Sequence, residues 1–165
     1  MPNIQRISPC LWFDDQAEEA ANYYVGIFKS SRIVRISRYG NVGQEIHGRP
    51  PGSVMTAEFE LDGLPFTALN GGPMFTFNEA LSLQVMCETQ EEVDYYWDKL
   101  REGGDEKAQV CGWLKDKYGV SWQVVPIILN DMVADSESEG GQRAFAAMLK
   151  MKKMDIAELK RAYEG

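Results

Sequence analysis

Apolar residues between positions 17 and 28 recur with a helical period. Ala17, Ala20, Ala21, Tyr24, Ile27 and Phe28 fall on one face of a 3.6-residue helix, and polar residues fill the other. Asp15 followed by Glu18 is a capping-box pattern, in which side-chain oxygens take the free N–H groups of a first helical turn. A helix over 15–29 is expected. The stretch NYYVGIF at 22–28 returns as DYYWDKL at 94–100, an offset of 72 residues. There Val93, Tyr96 and Leu100 form the stripe, and Thr89 with Glu92 forms the cap. A second helix is expected over 90–102, with Tyr24 and Tyr96 in equivalent positions.

Strand signals precede each helix. SPCLWF (8–13) and SLQVMC (82–87) are rich in apolar and aromatic residues, and Ser8 and Ser82 stand at the same offset of 74 as the two caps. After the first helix, RIVRISRY (32–39) and VMTAEFEL (54–61) alternate, the latter placing Met55, Ala57, Phe59 and Leu61 on one face. PFTAL (65–69) follows an Asp62-Gly63 turn, a strong hairpin signal. The second half offers AQVCGWL (108–114) and VSWQVVP (120–126), separated by the charged turn 115–119. The order reads β-α-β-β-β and then β-α-β-β, with one strand of the second half missing or very short. The fold class expected is α+β: two βαβββ modules, related by a pseudo-twofold axis, whose paired sheets form a half-barrel cleft, with helices at the C-terminus. The chain is read as a single domain, 1–165, made of a first module (1–72), a second (73–130) and a helical extension (131–165).

Alternation also assigns faces. Leu11, Phe13, Leu83 and Val85 should pack on the helices, which turns Ser8, Cys10 and Trp12, with Ser82, Gln84 and Met86, toward the cleft. In the last strand Ser121, Gln123 and Val125 face in while Trp122 and Val124 face a helix, and Thr67 and Leu69 match the inward phase. Glu58 and Glu60 fall on the cleft side too, either as a general base or as solvent-facing strand carboxylates. The loop 39–53, rich in Gly and Pro, holds His47 and Arg49; it is either a lid that clamps an anionic substrate or a solvated tip. LNGGPMF (69–75) reads as the connection between halves, with Asn70 closing a turn. In the tail, ADSESEGG (134–141) reads as an acidic connector to two amphipathic helices, the second capped by Asp155 and Glu158.

Composition narrows the partners. The formal charge is −8, and the only cationic cluster, Lys150 to Arg161, is interleaved with apolar residues, so no nucleic-acid footprint is present. Three cysteines without a CxxC motif suit reduced thiols and a cytoplasmic location. No signal-peptide pattern or apolar run of membrane-spanning length is present. A single histidine excludes any site built on two histidines of one chain.

The stretches SPCLWFDDQAEEAANYYVGIF, VMTAEFELDGLPFTALNGGPMFTFNEALSLQVMCETQEEVDYYW, CGWLKDKYGVSWQVVP and AMLKMKKMDIAELKRAY resemble the vicinal oxygen chelate superfamily. That superfamily includes glyoxalase I, extradiol dioxygenases and the fosfomycin- and bleomycin-resistance proteins. Within it the likeness is to the PhnB-like branch, often labelled 3-demethylubiquinone 3-methyltransferase-like. The resemblance implies paired βαβββ modules around a small-molecule cleft. It also implies that the positions where the superfamily's metal enzymes place His or Glu fall here at Ser8, Thr67, Ser82 and Gln123. Hydroxyls and a neutral amide are poor ligands for Zn²⁺ or Fe²⁺. LNGGPMF runs into Pro and aromatics rather than a helix, unlike a Gly-rich turn that binds S-adenosylmethionine in a parallel βαβ sheet.

The expected function is therefore a small-molecule binding protein with neither metal nor cofactor, its ligand touched by Ser8, Cys10, Trp12, Thr67, Ser82, Gln84 and Gln123. The alternative is an enzyme of lyase, isomerase, dioxygenase or methyltransferase type acting on a small oxygenated or aromatic substrate. A homodimer is expected, because a Met-rich apolar tail must be buried either on its own sheet or on a partner chain.

Overall fold

A computed structural model describes residues 5–165, which form two compact units, one ending at Thr76 and the other beginning at Phe77. The first unit holds β1 (Cys10–Phe13), α1 (Ala17–Ile27), β2 (Arg32–Arg38), the short α2 (Gln44–His47), β3 (Val54–Leu61) and β4 (Leu64–Asn70). Its sheet has the order β1-β4-β3-β2, with β1 parallel to β4 and the other pairs antiparallel. The β3–β4 hairpin turns at Asp62 and Gly63, both at positive φ, as the Asp-Gly pair requires. The helix covers one sheet face. Ala17, Ala20, Ala21, Tyr24 and Ile27 are buried against Leu11, Phe13, Ala57, Phe59, Phe66 and Ala68, so the alternation in β1, β3 and β4 reads correctly.

The second unit holds β5 (Ser82–Cys87), α3 (Gln90–Arg101), a 3-10 turn at Glu106–Ala108, β6 (Trp113–Lys115) and β7 (Ser121–Pro126). Three helices follow: α4 (Ile127–Val133), α5 (Glu139–Met148) and α6 (Ile156–Glu164). Its sheet has the order β5-β7-β6, with β5 parallel to β7 and β6 antiparallel to it. This is the β-α-β-β order read from the sequence, one strand short of the first unit. Strand β6 is shorter than expected because Cys111 and Gly112 take positive φ and break the run 108–114.

The repeat is real, but its register differs from the echo in the sequence. Buried α3 residues are Val93, Trp97 and Leu100, which match Ala20, Tyr24 and Ile27 at an offset of 73. The helix starts, Ala17 and Gln90, share that offset. Trp97 therefore stands where Tyr24 does, and Tyr96 is only half-buried, which corrects the expected equivalence. The strand ends Phe13 and Cys87 stand 74 apart, and the connection has three residues after β1 and two after β5, which sets the helices at 73. The two tyrosine pairs look alike in sequence but sit one residue apart in phase, about 100° around the helix.

The caps differ as well. Thr89 accepts from the N–H of Glu92, as expected. The Asp15–Glu18 box does not form. Ala17 instead donates its N–H to Oδ1 of the buried Asn70 at 2.8 Å, and Asn70 Nδ2 donates to the Val54 carbonyl. Asn70 pairs with Phe13 across the parallel β1–β4 ladder, which sets its side chain at the start of α1. Its role is thus a tertiary helix cap rather than closure of the turn 70–72.

The tail folds on its own unit. Met154 and Leu159 are buried, Cys111 and Gly112 donate to the carbonyls of Met151 and Lys152, and Gln90 bonds both the Met154 carbonyl and the Ile156 N–H. Asp155 caps α6 as expected. The last three residues of the acidic connector are helical: Ser138 caps α5, and Gly141 is buried where a Cβ would meet the Met132 carbonyl at 2.7 Å. Phe145, Leu149 and Tyr163 remain exposed.

Candidate functional site

Each sheet has one face packed on its helix and one open face, and the anticipated site residues divide between the two open faces. On the first sheet, strand register places Cys10, Thr67, Glu58 and Arg35 in one row and Trp12, Leu69, Thr56 and Ser37 in the next. Cys10, Trp12 and Thr67 are thus brought together, whereas Ser8 is exposed and precedes β1. Cys10 is exposed, and partial desolvation against the sheet raises its thiol above the ordinary pKa, which disfavours the thiolate.

Charges on this face satisfy one another. Arg32 grips Glu60 through two hydrogen bonds of 2.8 and 3.1 Å, and Arg35 binds Glu58. Both carboxylates that alternation turns inward are engaged by arginines of β2. Trp12 is fixed too. Its indole N–H donates to the Gly72 carbonyl at 2.9 Å, and its ring meets the edge of Phe75. A Cβ on Gly71 would stand 2.2 Å from that ring, so only glycine fits there.

The loop 39–53 is tied down. Its ends are zipped by Tyr39 and Ser53, Tyr39 OH donates to the Asn70 carbonyl, and the His47 ring stacks on Tyr39 with centroids 4.4 Å apart. Arg49 binds both the carbonyl and the carboxylate of Asp14. Of the two residues read as a possible anion clamp, Arg49 ties the loop to the β1–α1 connection and His47 packs within the loop on Tyr39.

On the second sheet, one row runs Ser82, Ser121, Lys115 and the next runs Gln84, Gln123, Trp113. Gln123 Nε2 donates to Ser82 Oγ at 2.7 Å, which confirms that these two residues share a face and touch. Ser121 is buried, and its Oγ is the one buried side-chain nitrogen or oxygen without a hydrogen-bond partner among the described residues. Lys115, its cross-strand partner, is paired with Glu79 at 2.5 Å, and that contact holds the Glu79 carboxyl below its usual range. A cavity of about 370 Å³ opens here, lined by Glu79, Lys107, Val110, Trp113, Lys115 and Ser121.

Sequence reasoning placed Ser121 on the correct face but gave it no role, and it read Lys115 only as part of a charged turn. The register of β6 against β7 is what brings them side by side, and no local pattern encodes it. The turn itself is organised by the buried Asp116, whose Oδ1 accepts from Tyr118 and Val120 and whose Oδ2 accepts from the Trp122 indole. Among the described residues, no group of three or more His, Cys, Asp or Glu side chains is placed to hold a metal ion. No described helix is long and apolar enough to cross a membrane.

A helix-backed β-α-β-β-β sheet followed by a helix-backed β-α-β-β sheet, each with a free face bearing polar side chains, is the fold of the glyoxalase and bleomycin-resistance proteins of the vicinal oxygen chelate superfamily. A fosfomycin resistance protein from Listeria monocytogenes, complexed with Mn(II) and sulfate, shares the fold at 14% identity and a TM-score of 0.51, over 81% of this chain and 97% of that one. Protein PA1353 from Pseudomonas aeruginosa shares it at 18% identity and a TM-score of 0.58, over 74% and 98% of the two chains.

Within that class the chain belongs to the family described as 3-demethylubiquinone-9 3-methyltransferase, whose profile matches residues 5–125. The PhnB protein of Bacillus cereus is 39% identical, with a TM-score of 0.64, and covers 74% of this chain and 99% of its own. The family match ends before the C-terminal helices α4–α6 begin. No curated protein matches the chain.

Proposed function

We propose that this protein binds a small molecule without a metal, through neutral hydrogen-bonding groups on its open sheet faces. The observation that carries this reading is the Ser82–Gln123 hydrogen bond. By the family resemblance these are two of the positions where metal enzymes of the superfamily carry His or Glu. Here they hold a hydroxyl and an amide that bond each other. A divalent transition metal such as the Mn(II) in the Listeria structure is held best by carboxylate or imidazole ligands, and this hydroxyl and neutral amide supply neither. Gln123 uses one N–H on Ser82, which leaves its carbonyl oxygen and second N–H to meet a ligand.

On the first face, Cys10, Trp12 and Thr67 supply a thiol, an aromatic wall and a hydroxyl, the mix of apolar surface and few polar groups that suits a small-molecule pocket. Ser8, in the first unit, and Gln84, in the second, are both exposed. A methyltransferase reading finds no support in the backbone: the segment after β4 leads to β5 with no helix, so no glycine turn opens onto a helix N-terminus. An acid–base enzyme would need Glu58, Glu60 or His47, and each is already engaged by Arg35, Arg32 or Tyr39. A cytoplasmic homodimer remains part of the proposal. The exposed Phe145, Leu149 and Tyr163 supply apolar surface for it, and sedimentation equilibrium giving a monomer mass at micromolar concentration would refute it.

The test is purification without chelators, followed by native mass spectrometry and metal analysis. A bound organic molecule with no stoichiometric zinc, iron or manganese is expected. Gln123→Ala should weaken the captured molecule by about 1–3 kcal/mol, the cost of an unpaired buried polar group, with less effect on stability. Stoichiometric transition metal that is lost in the Gln123→Ala variant would overturn the reading, and so would unchanged affinity in that variant.

A further inference from the structure

The orphaned Ser121 hydroxyl calls for an explanation, because nearly all buried polar atoms in folded proteins have partners. Its surroundings suggest one. Ser121 and Lys115 are directly opposed on the antiparallel β6–β7 ladder, so their side chains share a face with Cβ atoms roughly 5 Å apart. Ser121 carries its hydroxyl on a short side chain and Lys115 its ammonium on a long, flexible one, so both can reach a single carboxylate between them. Lys115 now spends its charge on Glu79, which comes from the irregular segment between β4 and β5 and whose side chain is 63% exposed. Behind them the cavity offers a second cation, Lys107, and an apolar wall of Val110 and Trp113. Trp113 is paired with Gln123 in the adjoining row, so the cavity continues the polar face assigned above to the ligand.

We propose that this cavity is an anion subsite for a small aromatic carboxylate. The ligand carboxylate displaces Glu79 from Lys115 and accepts the Ser121 hydroxyl, while its ring lies against Trp113 and Val110. Glu79 acts as an internal placeholder: it neutralises Lys115 in the free protein and moves to solvent when the ligand enters. No covalent chemistry is involved. The inference rests on the proposed small-molecule function and gives its ligand a charge class.

Sodium benzoate serves as the probe and benzamide as its neutral match, followed by nuclear magnetic resonance of the labelled full chain. Benzoate should shift the Trp113 indole and the Ser121 and Lys115 amide signals, and benzamide should not. Lys115→Met and Ser121→Ala should each weaken benzoate about tenfold, as loss of a charge-assisted hydrogen bond does. Glu79→Gln should tighten it, because Lys115 is released from its internal partner. Ser121→Ala should also raise the melting temperature by about 2–4 °C, since it removes an unsatisfied buried hydroxyl. A residue with only a structural role would not give weaker binding together with higher stability. Equal binding of benzamide, no shift at these signals at millimolar benzoate, or a Glu79→Gln variant with unchanged affinity would each overturn the proposal. If benzoate fails while Gln123→Ala still weakens the co-purified molecule, the anion subsite falls and the small-molecule reading stands.

Discussion

The two open sheet faces share an architecture and differ in how their polar groups are satisfied. The first carries charged residues in pairs, Arg32 with Glu60 and Arg35 with Glu58, and an aromatic ring locked by Gly71, Gly72 and Phe75. Its charges are satisfied internally. The second carries Ser82, Gln84 and Gln123, a lysine held by an exposed glutamate, and a hydroxyl with no partner. Residual hydrogen-bonding capacity, rather than the number of polar residues, distinguishes the second face from the first. The two helices behind the sheets differ in the same sense. The start of α1 is completed from another strand by Asn70, while α3 is completed by its own Thr89.

The largest effect should come from the register of the repeat. Trp97→Ala should cost about 3–5 kcal/mol in urea unfolding, because a buried aromatic leaves a large cavity. Tyr96→Ala should cost about 1 kcal/mol or less. Comparable losses in both variants would break the assignment of Trp97, not Tyr96, as the counterpart of Tyr24.

Next in size is the contrast between caps. Asn70→Ala removes a buried acceptor from Ala17 and a donor to Val54, and should destabilise by about 2–4 kcal/mol. Thr89→Ala loses an exposed local cap worth about 1 kcal/mol. Equal costs would show that α1 does not depend on its tertiary cap.

The thiols separate the units by pH. Desolvation, with a smaller contribution from Glu92, pushes Cys87 up to about 12 from an ordinary 9.0. A pKa raised in the folded state means the unfolded chain ionises first. The stabilisation is complete below pH 9.0 and is lost as pH climbs toward about 12. About 1 kcal/mol should be gone by pH 10, and Cys87→Ala should remove that alkaline slope. Cys10, which is exposed, should react with a thiol reagent in the folded protein while Cys87 reacts only on unfolding. A slope that persists in Cys87→Ala would assign the alkaline loss elsewhere.

The smallest effect belongs to the ion pairs of the first face. A double-mutant cycle on Arg32 and Glu60 should give a coupling of about 0.2–1 kcal/mol that shrinks with added salt, because both side chains are partly solvated. Coupling well above that range, or insensitive to salt, would show this face to be drier and more constrained than its exposure indicates.

Much of this was legible in the chain itself. Period-2 alternation assigned the buried face of β1, β3, β4, β5 and β7, helical stripes located α1 and α3 to within about two residues, and the Asp-Gly pair marked the hairpin. These features are local, since each side chain's face follows from its place in a repeating backbone. Strand phase also put Ser82 and Gln123 on one sheet face, where they bond each other. The rest depended on how distant segments meet. A connection one residue shorter after β5 than after β1 takes the strand offset of 74 to a helix offset of 73, not the 72 of the tyrosine echo. The β1–β4 ladder delivered Asn70 to a helix start 53 residues away and made the Asp15 box unnecessary. Cross-strand register alone set Lys115 beside Ser121 and left a hydroxyl without a partner. Local periodicity encodes which way a residue faces, and only the packed chain decides which neighbour it finds there.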